Sequence, residues 1–281
     1  MYKILKNEKI SPDAYLMEVV APDTIKNAKP GQFVIVMGKD DSERIPLTIY
    51  DFDIKTGVLS LIYQVVGAST EELSTLTPKD EIFAVVGPLG NANEICANPD
   101  EYKGKRIVYV AGGVGIAPVY PQVKYLHDKG FDVDIIYGAR NIDLLLIRDK
   151  AEKVAKNIFY ATDDGSFGEK GFVTTILENR IKDYDICVAI GPLIMMKNVA
   201  KLTKEHNLKT IVSMNPLMVD GSGMCGACRC EIEGKPKFAC IDGPEFDGHK
   251  VNFDLAMKRM NIYKEEEKEK WDKMKKALGT K

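Results

Sequence analysis

The fold is decided by Arg106-Ile-Val-Tyr-Val-Ala-Gly-Gly-Val-Gly-Ile-Ala-Pro-Val-Tyr120, where an apolar run leads into a glycine turn and then a helix-like stretch. Gly112, Gly113 and Gly115 let the backbone approach a ligand, and amides at a helix N-terminus favour an anion such as a pyrophosphate. The spacing differs from the usual Gly-x-Gly-x-x-Gly of dinucleotide-binding folds. A turn whose glycines serve only tight packing is the alternative interpretation.

Downstream, apolar runs alternate with helical stretches as far as Met214, which predicts a parallel sheet covered on both faces, with ligands at the carboxyl ends of its strands. Tyr137-Gly-Ala-Arg-Asn follows the second strand, and Gly191, before a proline, follows a later one. Asp163-Asp-Gly-Ser ends another strand and offers carboxylates to a ribose, although a solvated turn fits it too. Together these strand ends predict a cradle for an extended dinucleotide.

Helices are predicted at residues 69–76, 117–129, 144–156, 172–180, 195–206 and 263–278.

The N-terminal part of the chain shows short β-branched and aromatic runs, which predict a small antiparallel barrel. Arg44-Ile-Pro-Leu-Thr-Ile-Tyr combines a cation, a rigid turn and a hydroxyl, and Gly67-Ala-Ser-Thr opens a helix whose amides suit phosphate. The two segments suit a flavin diphosphate, with Thr48 available to the isoalloxazine ring.

Four of the six cysteines lie within sixteen residues: Cys225, Cys228, Cys230 and Cys240. A glycine-rich loop with this spacing is typical of a [2Fe-2S] site, because glycines let amides approach the sulfides. The plant-type pattern Cys-x4-Cys-x2-Cys with a distant fourth cysteine places Asp220 in the first position. Asp220 and Cys230 both remain candidates for the fourth ligand, with the x4 register favouring Asp220, and a structural zinc site with four cysteine ligands is the alternative.

The length of 281 residues predicts two or three structural units. With 39 Lys and Arg against 41 Asp and Glu, no overall positive field exists to attract nucleic acid. No apolar run is long enough to span a membrane, and the N-terminus has no export signal, so we expect a cytoplasmic protein. The predicted units are an FAD-binding β-barrel (1–97), an NAD-binding α/β domain (98–216), a [2Fe-2S] segment (217–250) and a helical tail (251–281).

The order of barrel, dinucleotide domain and cysteine loop resembles the ferredoxin-NADP reductase superfamily. Within it, the chain is similar to the electron-transfer subunit of dihydroorotate dehydrogenase B and to the small subunit of NADH-dependent ferredoxin:NADP oxidoreductase, also called sulfide dehydrogenase. The resemblance is carried by Pro30-Gly-Gln-Phe, residues 44–49, residues 67–70, Gly87-Pro-Leu-Gly, residues 112–118, Asp163-Asp-Gly-Ser and the cysteine loop.

The resemblance implies three sets of binding residues. FAD would be bound by Arg44, Pro46, Leu47, Thr48, Gly67, Ser69 and Thr70. The nicotinamide dinucleotide would face Gly112, Gly113, Gly115 and Gly191, and the cluster ligands would be Asp220, Cys225, Cys228 and Cys240. Apart from Thr48, which would position the flavin, no catalytic side chain is expected. Two departures from the dihydroorotate type are Ile45, which separates Arg44 from Pro46, and Asp220 in place of a cysteine.

An aspartate ligand resembles the small subunit of the bifurcating enzyme. The expected function is therefore an electron-transfer flavoprotein subunit that connects NAD(H), FAD and a [2Fe-2S] cluster. Its implied partners are a larger NADPH-binding subunit with flavin and [4Fe-4S] clusters and, through the complex, ferredoxin. We expect NADH to be preferred over NADPH, because Asp163 and Asp164 lie in the adenosine region, where Arg140 and Arg148 are the basic candidates. The alternatives are a dihydroorotate dehydrogenase B subunit and a zinc-stabilised nucleotide-binding module without redox turnover.

Overall fold

The protein, seen in a computed structural model that describes residues 1–278, begins with an antiparallel sheet curled into a half barrel. Its strands are β1 (Tyr2–Lys9), β2 (Ala14–Val20), β3 (Phe33–Met37), β4 (Ile45–Asp53), β5 (Val58–Gln64), β6 (Glu81–Ile82) and β7 (Ala84–Leu89). They lie in the order β6-β1-β2-β5-β4-β3-β7. The short helices are α1 (Pro22–Ile25), α2 (Ala68–Thr75) and α3 (Glu94–Ala97). The predicted antiparallel barrel is confirmed.

The second part is an α/β unit. Its strands are β8 (Ile107–Gly112), β9 (Val133–Ala139), β10 (Asn157–Thr162), β11 (Glu169–Lys170), β12 (Ile186–Ile190) and β13 (Lys209–Ser213). Its helices are α4 (Ile116–Asp128), α5 (Arg148–Val154), α6 (Val173–Arg180) and α7 (Leu193–Glu205). The strands pair in parallel, with Ile107 of β8 opposite Val133 of β9 and Ile186 of β12. The predicted parallel sheet is confirmed.

The C-terminal part contains a small hairpin, one further strand and two helices. These elements are β14 (Arg229–Ile232), β15 (Lys235–Phe238), β16 (Glu245–Asp247), α8 (Phe253–Met260) and α9 (Lys264–Leu278). Strand β16 pairs antiparallel with β13, so the second sheet has the order β11-β10-β9-β8-β12-β13-β16. The predicted segment 217–250 thus contributes its last strand to the α/β sheet, and the last three residues of the predicted tail lie outside the described residues.

The apolar cores join the parts of the chain to one another. Strand β8 is buried along its whole length, as expected for a central parallel strand. Tyr109 packs on the α4 side in a core that also contains Tyr50 of the barrel. Val110 packs on the other side in a core that includes Phe33 of the barrel and Cys228 of the cysteine loop. Burial of this apolar surface fixes the barrel and the loop against the α/β unit.

Two helical predictions need correction. The prediction of a helix over 144–156 is wrong at its start, because Ile147 adopts a left-handed backbone with φ of 46° and α5 begins only at Arg148. Helix α8 was predicted only as part of the helical tail (251–281), because the helix predicted there, over 263–278, does not include it. Among residues 1–278, no helix is long and apolar enough to cross a membrane.

Candidate functional site

The glycine turn after β8 packs against the turn after β12. A Cβ at Gly115 would lie 2.2 Å from the carbonyl oxygen of Ile190, and a Cβ at Gly191 would lie 3.0 Å from the amide nitrogen of Gly112. A Cβ at Gly113 would have nothing within 4 Å. The structure therefore brings the predicted glycines together at the carboxyl edge of the sheet. Tight packing accounts for three of them, whereas Gly113 lies in open space where a ligand can approach.

The end of β10 carries the two predicted carboxylates. Asp163 and Asp164 are both exposed, and the Asp163 amide donates to the carbonyl of Ala139 at the end of β9. The Asp164 carboxylate accepts the amide hydrogen of Ser166 at 2.9 Å, and hydrogen bonds from Ser166 hold its pKa below the usual range. Asp164 thus stabilises the turn, and Asp163 stays the predicted candidate for a contact with a ribose.

The basic residues near this edge have different surroundings. The Arg140 guanidinium is 71% exposed and lies 3.6 Å from the Asp13 carboxylate of the barrel. The Arg148 guanidinium stacks on the Phe167 ring, 4.7 Å from the ring centroid. Arg148 is therefore held by a cation–π contact, and Arg140 is paired with a carboxylate. Neither arrangement forms a basic cluster beside Asp163.

Strand β4 presents its residues alternately to the barrel and to the α/β unit. Leu47 packs with the barrel core, together with Ile49. Pro46 and Thr48 lie between these positions and are half-buried, opposite Ile35 and Phe33 of β3. This alternation directs Thr48 away from the barrel core, as a flavin-positioning hydroxyl requires.

Tyr50 lies on the same strand, where the barrel meets helix α4. Its ring packs on Tyr120 with centroids 5.1 Å apart, and nearby the Lys124 ammonium lies 2.9 Å from the Asp51 carboxylate. The Tyr50 hydroxyl is buried and has no hydrogen-bond partner within residues 1–278, and burial raises its pKa. Sequence reasoning did not assign Tyr50 a role, although Tyr50 is the last residue of the segment that begins at Arg44. An orphaned hydroxyl close to Thr48 fits a polar bound group at this junction.

The predicted diphosphate residues come together at the start of α2. The Ser69 hydroxyl donates to the Glu43 carboxylate at 2.7 Å, which places the exposed Arg44 close to the helix N-terminus. The Thr70 hydroxyl accepts the amide hydrogen of Gly67, so it shapes the turn. A Cβ at Gly67 would have nothing within 4 Å. The amides at this helix end are therefore approachable, and the residues present fit an FAD diphosphate.

The cysteine loop, residues 220–240, is organised around Asp220. Its carboxylate accepts the amide hydrogens of Ser222 at 2.8 Å and Cys225 at 2.9 Å, and these bonds lower its pKa. The Cys228 and Cys240 sulfurs lie 3.2 Å apart and are not disulfide-bonded. Burial and the neighbouring Cys228 raise the pKa of Cys240 to about 12.

Three thiols and a carboxylate in one glycine-rich loop are suitable donors for an iron–sulfur cluster. Within residues 1–278, no three or more His, Cys, Asp or Glu side chains converge as a metal site. Two of the predicted ligands, Cys228 and Cys240, nevertheless lie with their sulfur atoms 3.2 Å apart. Cys225 is exposed at the surface of the loop. Cys230 is buried in the core on β14, and burial raises its pKa to about 11. Cys228 and Cys240 are as buried as Cys230, so the choice of the fourth ligand stays a prediction; the Cys230 thiol lies 3.7 Å from the Cys228 carbonyl oxygen.

A buried polar cluster that the sequence did not reveal links the three parts of the chain. The Glu245 carboxylate of β16 accepts hydrogen bonds from the Asn93 side-chain amide at 2.7 Å and the Gln122 side-chain amide at 2.8 Å. Burial raises the pKa of Glu245 to about 7. No local pattern marks these residues, because Asn93, Gln122 and Glu245 are far apart in the sequence.

Comparison with known families assigns two of these regions. Residues 109–201 match the oxidoreductase NAD-binding domain, and residues 215–252 match the iron-sulfur cluster binding domain of dihydroorotate dehydrogenase B. The chain is thus an oxidoreductase with an NAD-binding and an iron–sulfur domain.

Two relatives match almost the whole chain. A protein of Clostridium beijerinckii named for its position in the adh 3' region is 48% identical over 95% of this chain and 92% of its own length. A homologue of the dihydroorotate dehydrogenase B (NAD(+)) electron transfer subunit from Thermotoga maritima is 42% identical over 99% of this chain and 96% of its own length. The chain belongs to the family of dihydroorotate dehydrogenase B electron-transfer subunits.

A solved structure matches equally completely. It is a chain of an NADH-dependent reduced ferredoxin-NADP oxidoreductase solved in a study of flavin-based electron bifurcation, with 39% identity, a TM-score of 0.87 and coverage of 97% of both chains. The expected ferredoxin reductase-like fold is confirmed. The expected cofactors, an iron–sulfur cluster, NAD(H) and FAD, are those of an electron-transfer oxidoreductase subunit of this kind.

Proposed function

We propose that this chain is the small subunit of a cytoplasmic, bifurcating NADH-dependent ferredoxin:NADP oxidoreductase. The single observation that carries the proposal is the structural match to a chain of such an enzyme over nearly all residues. A match of that extent has to include most of α8 and α9, which lie beyond the iron–sulfur domain that ends at residue 252. Similarity that continues into the tail supports a shared assembly and not only a shared fold.

In this proposal the chain's own residues position two organic groups, the nicotinamide dinucleotide and FAD. Gly113 and the turn after β8 receive the dinucleotide diphosphate, while Asp163 faces a ribose. Thr48 orients the flavin, and the start of α2 with Arg44 binds its diphosphate. When bound, FAD exchanges a hydride with NAD(H), and the [2Fe-2S] cluster carries single electrons.

The cysteine loop favours the bifurcating type over the dihydroorotate type. Asp220 occupies the position at which the dihydroorotate-type subunit has a cysteine, and its carboxylate already lies against the Cys225 amide. We propose Asp220, Cys225, Cys228 and Cys240 as the cluster ligands. Replacement of one thiolate by a carboxylate oxygen changes the net charge and the electron donation at the iron, which are the properties that set a cluster's potential.

The surface beside the loop supports a larger partner subunit. Met224 at the tip of the loop is 90% exposed, and Ile241 after the last ligand is 50% exposed. A groove of about 550 Å³ runs from Cys225 to Arg259 and Tyr263 of the C-terminal part. Exposed apolar side chains next to an electron-transfer centre are typical of an interface. We propose a heterodimer with a flavin- and [4Fe-4S]-containing, NADPH-binding subunit that passes electrons to ferredoxin.

The visible spectrum of the anaerobically purified protein, recorded before and after addition of NADH, tests the redox function. We expect flavin and iron–sulfur absorption that bleaches with NADH. A colourless protein that contains zinc, or cofactors that do not respond to NADH, would contradict it.

Native co-purification tests the choice within the family. We expect a larger iron–sulfur flavoprotein to co-purify with the chain. The second candidate, a dihydroorotate dehydrogenase B electron-transfer subunit, is favoured by the family match of residues 215–252. Recovery of an FMN-containing barrel enzyme that oxidises dihydroorotate would establish that candidate instead.

A further inference from the structure

The C-terminal helix α9 folds back onto the barrel and packs along α2. The Lys270 ammonium donates to the Glu43 carboxylate at 2.6 Å. One residue later, the Trp271 indole N–H donates to the Glu71 carboxylate at 3.1 Å, and Trp271 is half-buried in a helix that is otherwise mostly exposed. These bonds join residues about 200 positions apart, so α9 is a defined part of this face of the barrel.

Both carboxylates belong to the segments that form the proposed FAD diphosphate site. Glu43 immediately precedes Arg44 and accepts the Ser69 hydroxyl hydrogen, while Glu71 lies in the first turn of α2. Hydrogen bonds from Lys270 and Ser69 lower the pKa of Glu43, so its carboxylate is ionised at neutral pH. An ionised carboxylate beside a helix N-terminus repels a bound diphosphate unless a cation neutralises it.

Lys270 is placed to provide that neutralisation. Its ammonium binds Glu43 Oε1, whereas Ser69 binds Oε2 of the same carboxylate. Both oxygens of Glu43 are thereby engaged, and the Arg44 guanidinium remains exposed next to the start of α2. The Lys275 ammonium lies 3.8 Å from the centroid of the Trp271 ring, one turn further along α9, and adds a second cation beside Trp271.

We propose that α9 forms part of the FAD site, with Lys270 as a positioning residue that neutralises Glu43 beside the diphosphate and Trp271 as the side chain that anchors the helix there. The inference rests on the proposed assignment of Gly67, Ser69 and Thr70 to the FAD diphosphate. It deepens that assignment, because it extends the flavin site to a segment outside the barrel.

The test measures FAD release from the full-length holoprotein after dilution, since free FAD regains its fluorescence. We expect Lys270→Met to release FAD about tenfold faster, as loss of one charge interaction of about 1.4 kcal/mol predicts. Trp271 is the only tryptophan of the chain, so its emission, quenched by bound flavin, should recover at the same rate. Lys268→Met is the matched control, because Lys268 is exposed on α9 and makes no ion pair within residues 1–278.

A second variant separates charge neutralisation from loss of folding. In Glu43→Gln/Lys270→Met the carboxylate no longer needs a cation, so FAD release should return to within about twofold of the wild-type rate. Release from Lys270→Met at the wild-type rate, or failure of Glu43→Gln to restore retention, would overturn the inference while leaving the proposed function intact. A chain that never holds FAD would overturn both.

Discussion

The turn after β8 and the cysteine loop are both rich in glycine, and Gly115 of the turn and Gly226 of the loop show two different physical reasons for having no side chain. In the turn, Gly115 is required by space, because a Cβ would lie 2.2 Å from a neighbouring carbonyl oxygen. In the loop, Gly226 has a φ of +67° and its Cβ position has only an ordinary contact at 3.7 Å. Gly115 is thus required by backbone packing and Gly226 by a left-handed backbone conformation, whereas Gly223 of the loop meets both demands, because its φ is +82° and a Cβ there would clash with the Ile241 side chain.

The two regions also differ in what holds them. The turn is fixed by the buried strands β8 and β12, which pair with each other residue by residue. The loop depends on one side chain, Asp220, whose carboxylate accepts two loop amides. A site built on sheet backbone tolerates side-chain changes, whereas a site organised by one carboxylate does not.

Removal of Asp220 should give the largest effect. We expect Asp220→Ala to lose most of its iron, because the change removes both the proposed fourth ligand and the acceptor for the Ser222 and Cys225 amides. Iron and sulfide content of the anaerobically purified protein measures this. Cys230→Ala is the matched control and should retain the cluster, since the Cys230 thiol faces the Cys228 carbonyl oxygen and Asp220 takes the fourth ligand position in the proposal. The reverse result, with iron lost only from Cys230→Ala, would assign the fourth ligand to Cys230.

The steric distinction between the two regions can be measured as stability. We expect Gly115→Ala to cost about 3 kcal/mol, because the new Cβ meets backbone that cannot move without disrupting β12. Gly226→Ala should cost only about 1 kcal/mol, the penalty of a left-handed residue in open space. Urea unfolding of both variants under identical cofactor loading gives the two values. Equal losses of unfolding free energy in the two variants would contradict the distinction between a steric requirement at Gly115 and a backbone-conformation requirement at Gly226.

The parts that the sequence predicted are those with local signals. The turn after β8 was predictable because its apolar run, glycines and helix are contiguous, and the same holds for the cysteine loop. Helix α8 was predicted only as an undivided part of the helical tail (251–281), although Asn252 caps it by accepting the Leu255 amide hydrogen. Its N-cap and its one-sided apolar pattern were local signals that the sequence reading did not use, whereas its packing on α7 and β14 could not be read from the sequence.

Contacts between distant segments could not be predicted. Strand β16 has only three residues, and it forms because its backbone pairs with strand β13, which would otherwise be the edge of the sheet. Helix α9 was predicted as a solvated helix, yet its place on α2 depends on Lys270 and Trp271 meeting Glu43 and Glu71. Charge patterns along one segment do not reveal which distant carboxylate a lysine will bind.

Glu245 connects the two regions compared here, because it follows the cysteine loop and contacts Gln122 of the helix after the glycine turn. Burial, with a smaller contribution from the Glu94 carboxylate, raises its pKa from 4.5 to about 7, and the hydrogen bonds from Asn93 and Gln122 act in the opposite direction. A folded-state pKa above the unfolded value gives stability that is full below pH 4.5 and is lost as the pH rises through 7. The wild-type protein should therefore lose stability from pH 5 to pH 8.

Glu245→Gln should remove this dependence. The glutamine carries no charge. When the Gln122 side-chain amide rotates by 180°, its Oε1 atom, which is buried and has no partner within residues 1–278, can accept a hydrogen bond from the new amide. We expect the variant to lose about 2 kcal/mol less than the wild type between pH 5 and pH 8. Urea unfolding at both pH values measures the difference. Glu94→Gln is the control for the neighbouring charge and should change the slope less, and an unchanged slope in Glu245→Gln would contradict the assignment.

The smallest expected effect is that of a substitution at Asp163, at the end of β10. It tests whether the dinucleotide site extends from the turn after β8 to the end of β10. Asp163 is exposed at the carboxyl edge, where a carboxylate binds a ribose 2'-hydroxyl and repels a 2'-phosphate. We expect Asp163→Ser to lower kcat/KM for NADH about fivefold, close to 1 kcal/mol, and to narrow the preference over NADPH. Flavin reduction by the two dinucleotides under anaerobic conditions measures the ratio of kcat/KM for NADH to that for NADPH.

Asp164→Asn should leave this ratio unchanged, because the asparagine oxygen can still accept the Ser166 amide hydrogen. If Asp163→Ser keeps the wild-type ratio, the cradle consists of the turns after β8 and β12 alone, and dinucleotide preference must come from Arg140 or Arg148.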